Sequence, residues 1–134
     1  MAIEGWREEF RVGVPRLDDA HRAILEAIEL LVRGMRQGTA AGVVLEMGRR
    51  IAEEIRAHDR DEESWMEEVG YPGFLRHQAI HREIERRTDE LVERFSQGRL
   101  DVPVHLARLV EESFGDHVAA EDRRFLEWVL RKEG

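Results

Sequence analysis

The 134-residue chain contains no cysteine, only three prolines and few aromatic residues, which make up 7% of the sequence. The absence of cysteine excludes disulfide bridges, zinc ribbons, iron–sulfur clusters and thiol nucleophiles. Any metal that the chain binds must therefore be held by nitrogen and oxygen atoms. No apolar run approaches the roughly 20 residues that a membrane-spanning helix needs, so we expect no membrane insertion.

The charge balance is acidic, with a formal net charge of −8 at pH 7. A partner with a phosphate backbone requires clustered lysines and arginines, and the sequence shows no basic face, so we expect no nucleic-acid partner. The first residues, MAIEGWREEF, lack the basic start and apolar stretch of a secretory signal. We therefore expect a cytoplasmic protein that forms one domain of ordinary size.

The spacing of apolar residues predicts four amphipathic helices. Their expected spans are residues 18–37, 40–69, 74–97 and 101–130. Residues 1–17 are predicted to form an N-terminal arm that packs on the bundle, because Gly13 and Pro15 interrupt any helix there. Short connections between helices favour antiparallel neighbours. The predicted fold is therefore all-α, an up-down-up-down four-helix bundle that occupies residues 18–134.

Five of the six histidines fall on or beside the apolar stripes of these helices. They are His21, His58, His77, His81 and His117. Residues four apart share one helix face, so Glu62 points the same way as His58, and His81 the same way as His77. Asp122 lies about 140° round the helix from His117 at ~100° per residue, which suits a carboxylate that bridges to a second centre. The sixth histidine, His105, is predicted to lie at the surface.

The number and type of these groups indicate a metal centre. One histidine on an apolar stripe is usually half-buried with a single satisfied hydrogen bond, and a lone His-x-x-x-Glu pair is usually solvated. Burying five histidines and two acids without partners costs on the order of 1–3 kcal/mol per unsatisfied group. A metal satisfies them together, since neutral imidazole and ionised carboxylate are the coordinating forms. Seven ligands suit two six-coordinate ions with bridging carboxylates, and the mixed set suits iron or manganese.

Two familiar metal motifs are absent from the sequence. Ferritin-like di-iron proteins use Glu-x-x-His, and no histidine here has a glutamate three residues before it. Zinc proteases use His-Glu-x-x-His, whereas residues 77–81 read HQAIH. Gln78 cannot act as the general base of such a protease.

The motifs GVPRLDDAH, HDRDEE, MEEVGYPGFLRHQAIH and HVAAED together resemble the hemerythrins, especially their single-domain bacterial form. The resemblance implies a ligand set of His21, His58, Glu62, His77, His81, His117 and Asp122. It implies that His77, His81 and His117 hold one iron and that His21 and His58 hold the other. Glu62, Asp122 and an oxo or hydroxo group bridge the two irons in this interpretation. The second iron is then one ligand short, and the family binds dioxygen at that position.

The resemblance also implies an oxygen pocket, and the chain departs from the family there. Ile24 and Phe114 are apolar at positions that look like the family's pocket lining. Asp59 stands where the family commonly has phenylalanine, and Ser113 stands where it commonly has tryptophan. Either these two departures make the pocket wetter or larger, or they are neutral.

The expected function is reversible dioxygen binding for the carriage, storage or delivery of oxygen. We expect a binding protein and not an enzyme, because the sequence offers no second substrate pocket and no catalytic residue beyond the ligands. Two alternatives remain open: oxygen or redox sensing through a separate protein partner, and oxidase, peroxidase or nitric oxide chemistry. Iron storage fits badly, since a closed bundle has no mineral cavity.

Overall fold

The computed structural model describes residues 15–98, 105–106, 108–109, 112–113 and 119–133. Within them, α1 spans Pro15–Arg36, α2 spans Ala41–Val69, α3 spans Phe74–Ser96 and α4 spans Ala119–Glu133. Residues 105–106 and 108–109 are helical as well, and the described ranges contain no strand. The predicted all-α four-helix bundle is therefore confirmed. No helix in these ranges is long and apolar enough to cross a membrane.

The first helix begins earlier than predicted. Pro15, interpreted from the sequence as a helix breaker, is the first residue of α1. Proline is well suited to this position, because the first turn of a helix leaves its backbone N–H groups unpaired. Leu17, assigned to the arm, is buried in the core. Residues 1–14 of the arm lie outside the described residues, so the division into arm and bundle stays a prediction.

The turn between α2 and α3 places the start of α3 beside the end of α2. Gly70 closes α2 in the left-handed region with a φ of 72°, which glycine adopts without steric cost. Its backbone N–H and that of Tyr71 donate to carbonyl groups in the last turn of α2. Because the chain reverses here, residues near position 60 of α2 face residues near position 80 of α3.

Two hydrophobic clusters form the core. The aliphatic cluster consists of Ile24, Leu25, Ile28, Leu31, Val32, Val44, Ile51, Ile55, Leu91, Leu106 and Leu109. The aromatic cluster consists of Met66, Tyr71 and Phe125, packed with Trp65, Val69, Phe74, Trp128 and Val129. Along α2 and α3, the predicted metal ligands lie between these clusters. The polar centre is therefore enclosed by apolar side chains from both ends of the bundle.

Two apolar residues that the periodicity placed on buried stripes are exposed. Val43 is 54% exposed and Leu130 is 68% exposed. Val43 lies in the first turn of α2, and Leu130 lies near the end of α4. Periodicity identifies the face of a helix but not where its packing partner ends, so residues near helix ends are the ones predicted wrongly.

Candidate metal centre

Helix packing brings the predicted ligands in the described residues into one buried cluster. They come from α1 (His21), α2 (His58 and Glu62), α3 (His77 and His81) and α4 (Asp122). Every one of these side chains is at least nine-tenths buried. His117 lies outside the described residues, so its place in the cluster stays a prediction.

The ligand atoms form two groups that share Glu62. One group contains Glu62, His77, His81 and Asp122, and the other contains His21, His58 and Glu62. Within each group, every residue offers one ligand atom that lies within 4.8 Å of the others. Each group is therefore small enough to surround a single cation.

Glu62 presents one carboxylate oxygen to each group. Its Oε1 lies 2.6 Å from His77 Nε2 and 3.3 Å from His81 Nε2. Its Oε2 lies 3.6 Å from His58 Nε2. A carboxylate in this orientation can coordinate two cations at once.

Asp122 is arranged in the same way from the opposite side of the bundle. Its Oδ1 lies 2.9 Å from His77 Nε2, and its Oδ2 lies 3.3 Å from His21 Nε2. The aspartate is fully buried. Two carboxylates, each with one oxygen toward each group, could bridge a pair of cations.

The distances between these atoms fit small cations with nitrogen and oxygen ligands. With metal–ligand bonds of about 2.1 Å, neighbouring ligand atoms in an octahedron are about 3.0 Å apart. The distances of 2.6–3.6 Å found here lie around that value. Both oxygens of Glu62, both oxygens of Asp122 and Nε2 of His58 are buried and make no hydrogen bond of regular geometry, although His77 Nε2 lies close to one oxygen of each acid. A bound cation satisfies these atoms, which are otherwise costly to bury.

Comparison with known proteins agrees with this donor set. The family model for the hemerythrin HHE cation binding domain matches residues 12–129. The chain belongs to the hemerythrin family.

Its hemerythrin relatives cover nearly the whole chain. The chain is 27% identical to a bacteriohemerythrin of Stenotrophomonas maltophilia over 131 residues, which are 96% of this chain and 83% of the relative. It is 29% identical to one of Pseudomonas paraeruginosa over 129 residues, with the same coverage. It is 26% identical to one of Methylococcus capsulatus, over 93% of this chain and 95% of the relative. The resemblance recognised in the sequence is thereby confirmed.

The two histidines of the smaller group are held in the neutral form. Burial, together with the nearby His58 ring, lowers the pKa of His21 to about 4. Burial also lowers the pKa of His58. Neutral imidazole is the form that coordinates a metal, so this side of the centre is ready to bind a cation at neutral pH.

The larger group holds protons in the metal-free protein. Burial acts to lower the pKa of His77 and His81, but the adjacent carboxylates outweigh it and raise the two values to about 9 and about 10. The same histidines keep the pKa of Glu62 well below its usual value despite burial. Burial and the charge of Glu62 raise the pKa of Asp122. An entering cation must therefore displace protons from this group.

Glu63, which the sequence analysis did not single out, orients His81 from outside the ligand set. His81 Nδ1 donates to Glu63 Oε2 at 2.7 Å, because an ionised carboxylate can only accept. Glu63 Oε1 accepts from Arg82 Nη2 at 2.6 Å and from Gln78 Nε2 at 3.1 Å. This contact leaves His81 Nε2 facing the centre. Carboxylates commonly fix the orientation of ligating histidines in this way.

The sequence contains a signal that could have identified Glu63. In HDRDEE, two pairs with a spacing of four residues lie next to each other: His58 with Glu62, and Asp59 with Glu63. The second pair lies on the adjacent strip of the same helix face. Acids at these positions face α3, from which His81 extends.

Asp59, predicted to line the oxygen pocket, is buried beside the centre. Its Oδ1 lies 3.6 Å from His81 Nε2, and the residue is 5% exposed. Burial raises the pKa of the Asp59 carboxyl to about 9. A hydrogen bond with Glu85 contributes to this rise, whereas the charge of His81 opposes it. At the position where the family commonly has phenylalanine, this chain therefore has a carboxyl group beside His81, a predicted ligand.

The other predicted pocket residues are buried where the structure describes them. Ile24 is 4% exposed and lies one turn after His21 in α1, within the aliphatic cluster. Ser113 is 1% exposed, and its Oγ is buried without a hydrogen-bond partner. Phe114 lies outside the described residues. The pocket formed by these residues stays a prediction.

Proposed function

We propose that this hemerythrin-family protein binds dioxygen reversibly at a carboxylate-bridged di-iron centre, for the carriage, storage or delivery of oxygen in the cytoplasm. Family membership and the buried cluster of histidines and acids support a di-iron, oxygen-binding protein. The observation that carries the proposal is that Glu62 and Asp122 each present one oxygen to both ligand groups.

The proposed ligands are His21, His58, Glu62, His77, His81, His117 and Asp122. In this assignment Glu62 and Asp122 bridge the ions, together with an oxo or hydroxo group. The side of His21 and His58 has one imidazole fewer than the side of His77, His81 and His117. We place the open position for dioxygen on that side. When bound, two ferrous ions supply the two electrons that reversible dioxygen binding requires.

The protein's own residues favour reversible binding by controlling polarity around the centre. The aliphatic cluster encloses one end, with Ile24 and Ile55 each three residues from a histidine of the smaller group. The aromatic cluster encloses the other end, where the rings of Trp65 and Phe125 are 4.9 Å apart. Apolar packing excludes water and anions, which would otherwise occupy the open position. We therefore propose a binding protein and not an enzyme.

An anaerobic loading experiment tests this proposal. The reduced protein is loaded with iron, the iron per chain is measured, and the visible spectrum is recorded as air is admitted and removed. We expect two irons per chain and a charge-transfer band that disappears on deoxygenation. His105→Ala serves as a control, since it removes a histidine outside the proposed ligand set. Full iron loading without any oxygen-dependent band would refute the proposal.

A second candidate, peroxidase or oxidase chemistry, is favoured by Asp59. Net reduction of an oxygen ligand consumes protons, and Asp59 places a buried carboxyl group 3.6 Å from His81 Nε2. The discriminating measurement is turnover of hydrogen peroxide with an added electron donor. Turnover above that of free iron, lost in Asp59→Phe, would support the enzyme. Turnover no faster than free iron would exclude it.

A further inference from the structure

A cavity lies in the half of the bundle away from the predicted ligands. Its volume is about 20 Å³, it is partly open, and its described lining comes from α1, α2, α3 and Leu106. Leu31, Val44, Ile51 and Leu91 form much of its wall, and each is at most 7% exposed. The space exceeds the roughly 10–15 Å³ that a water-sized molecule needs. A small molecule therefore fits inside the packed core.

The part of the cavity wall that the structure describes offers a guest no hydrogen bond. Its lining side chains are apolar, apart from that of Thr88. The hydroxyl of Thr88 already donates to the carbonyl oxygen of Ile84, at 2.8 Å, within its own helix. A buried water needs about two to four polar partners, so water is a poor occupant. A small apolar gas needs none and gains dispersion contacts with the wall.

The aliphatic cluster connects this cavity to the smaller ligand group. Leu31, in the cavity wall, and Ile24, one turn from His21, belong to the same continuous cluster. The ten residues from His21 to Leu31 correspond to about 15 Å of helix at 1.5 Å per residue. Every buried member of this cluster is aliphatic. The described wall of the cavity and the surroundings of His21 therefore belong to one aliphatic core.

We propose that this cavity is a second, non-covalent site for a small apolar gas, and that its occupant in this protein is dioxygen. The identity of the occupant rests on the proposed function, whereas the selectivity for apolar gases follows from the wall alone. The cavity would hold dioxygen in the same aliphatic core as the centre, about 15 Å along α1 from His21. Peroxide and anions require hydrogen bonds or charge, which the described wall does not offer.

Xenon is the probe for this site, because it is apolar, inert toward iron and detectable through the protein. Methyl resonances of the iron-loaded protein are followed as xenon pressure is raised. We expect saturable shifts for the methyl groups of Leu31, Val44 and Leu91. Leu17, which is buried outside the cavity wall, should show none. Added dioxygen should compete and reduce the xenon-induced shifts.

Filling variants provide the controls. Val44→Ile adds one methylene group to the wall and should abolish the saturable shifts, and Val92→Ile provides a second filling variant should the first fail to fold. Val32→Ile makes the same chemical change in the aliphatic cluster but outside the wall, and it should keep the shifts. Absence of saturable shifts in the wild type, or equal shifts in the filling variants, would overturn the proposal. So would a lack of competition by dioxygen.

The outcomes separate this proposal from the proposed function. Reversible oxygen binding at the iron without xenon binding would refute the cavity site alone. Xenon binding that dioxygen displaces, in a protein whose iron shows no oxygen-dependent band, would refute the proposed function and leave a gas site.

Discussion

Replacing Glu63 by glutamine measures how strongly the hydrogen bond between His81 and Glu63 supports metal binding. The carboxylate is 5% exposed, and its pKa lies below the usual value despite burial because of its hydrogen bonds with His81 and Gln78, so it is ionised at neutral pH. Glutamine keeps the shape but removes the charge that faces both His81 and Arg82. Loss of such a partner commonly weakens metal binding by about 10–100-fold, or about 1.4–2.7 kcal/mol. Because Arg82 and Gln78 hold the carboxylate in place, we expect the upper half of this range.

The assay is anaerobic competition for ferrous iron against a chromophoric chelator. Glu83→Gln is the matched control, since Glu83 also pairs with an arginine, Arg86, at 2.7 Å but is exposed on α3. An exposed pair of this kind contributes little to stability and nothing to the centre, so iron affinity should stay unchanged. An equal loss of affinity in both variants, or no loss in Glu63→Gln, would refute the reasoning.

Three further outcomes are expected. His58→Ala should lower iron per chain and the thermal melting temperature, because metal binding and folding are coupled. Metal analysis and calorimetry check this, and His105→Ala should leave iron per chain unchanged. Asp59→Phe should slow autoxidation of the oxygenated protein, measured from the decay of its visible band, and an unchanged rate would favour a neutral role for Asp59. Iron uptake should weaken as pH falls from about 10 toward 6.5, because His77 and His81 have raised pKa values and hold protons that the metal must displace. Calorimetry in buffers of different ionisation enthalpy should detect proton release at pH 7, and its absence would contradict the assigned protonation.

The parts of the site that follow from helix geometry could be predicted from the sequence. The pairing of His58 with Glu62, and of His77 with His81, depends only on the four-residue spacing within one helix. The end of α2 at Gly70 likewise follows from a local backbone preference. These features need no knowledge of how the helices pack.

The features that depend on contacts between helices could not be predicted in the same way. Glu63 contacts His81 across the interface of α2 and α3, and periodicity does not give the distance between two helices. The approach of Asp59 to His81 has the same origin. The early start of α1 was missed for a different reason, since Pro15 is compatible both with a break and with a first helical turn.

The two carboxylates that both ligand groups share would make the occupancies of the two proposed metal positions interdependent. A first cation would orient one oxygen each of Glu62 and Asp122 and thereby fix the remaining oxygens for the neighbouring position. Most of the entropy cost of ordering these side chains, and most of the proton displacement, would fall on the first binding event, so the second cation would bind a preorganised site. Metal loading of this bundle should therefore be cooperative, and singly loaded molecules should remain scarce throughout a titration.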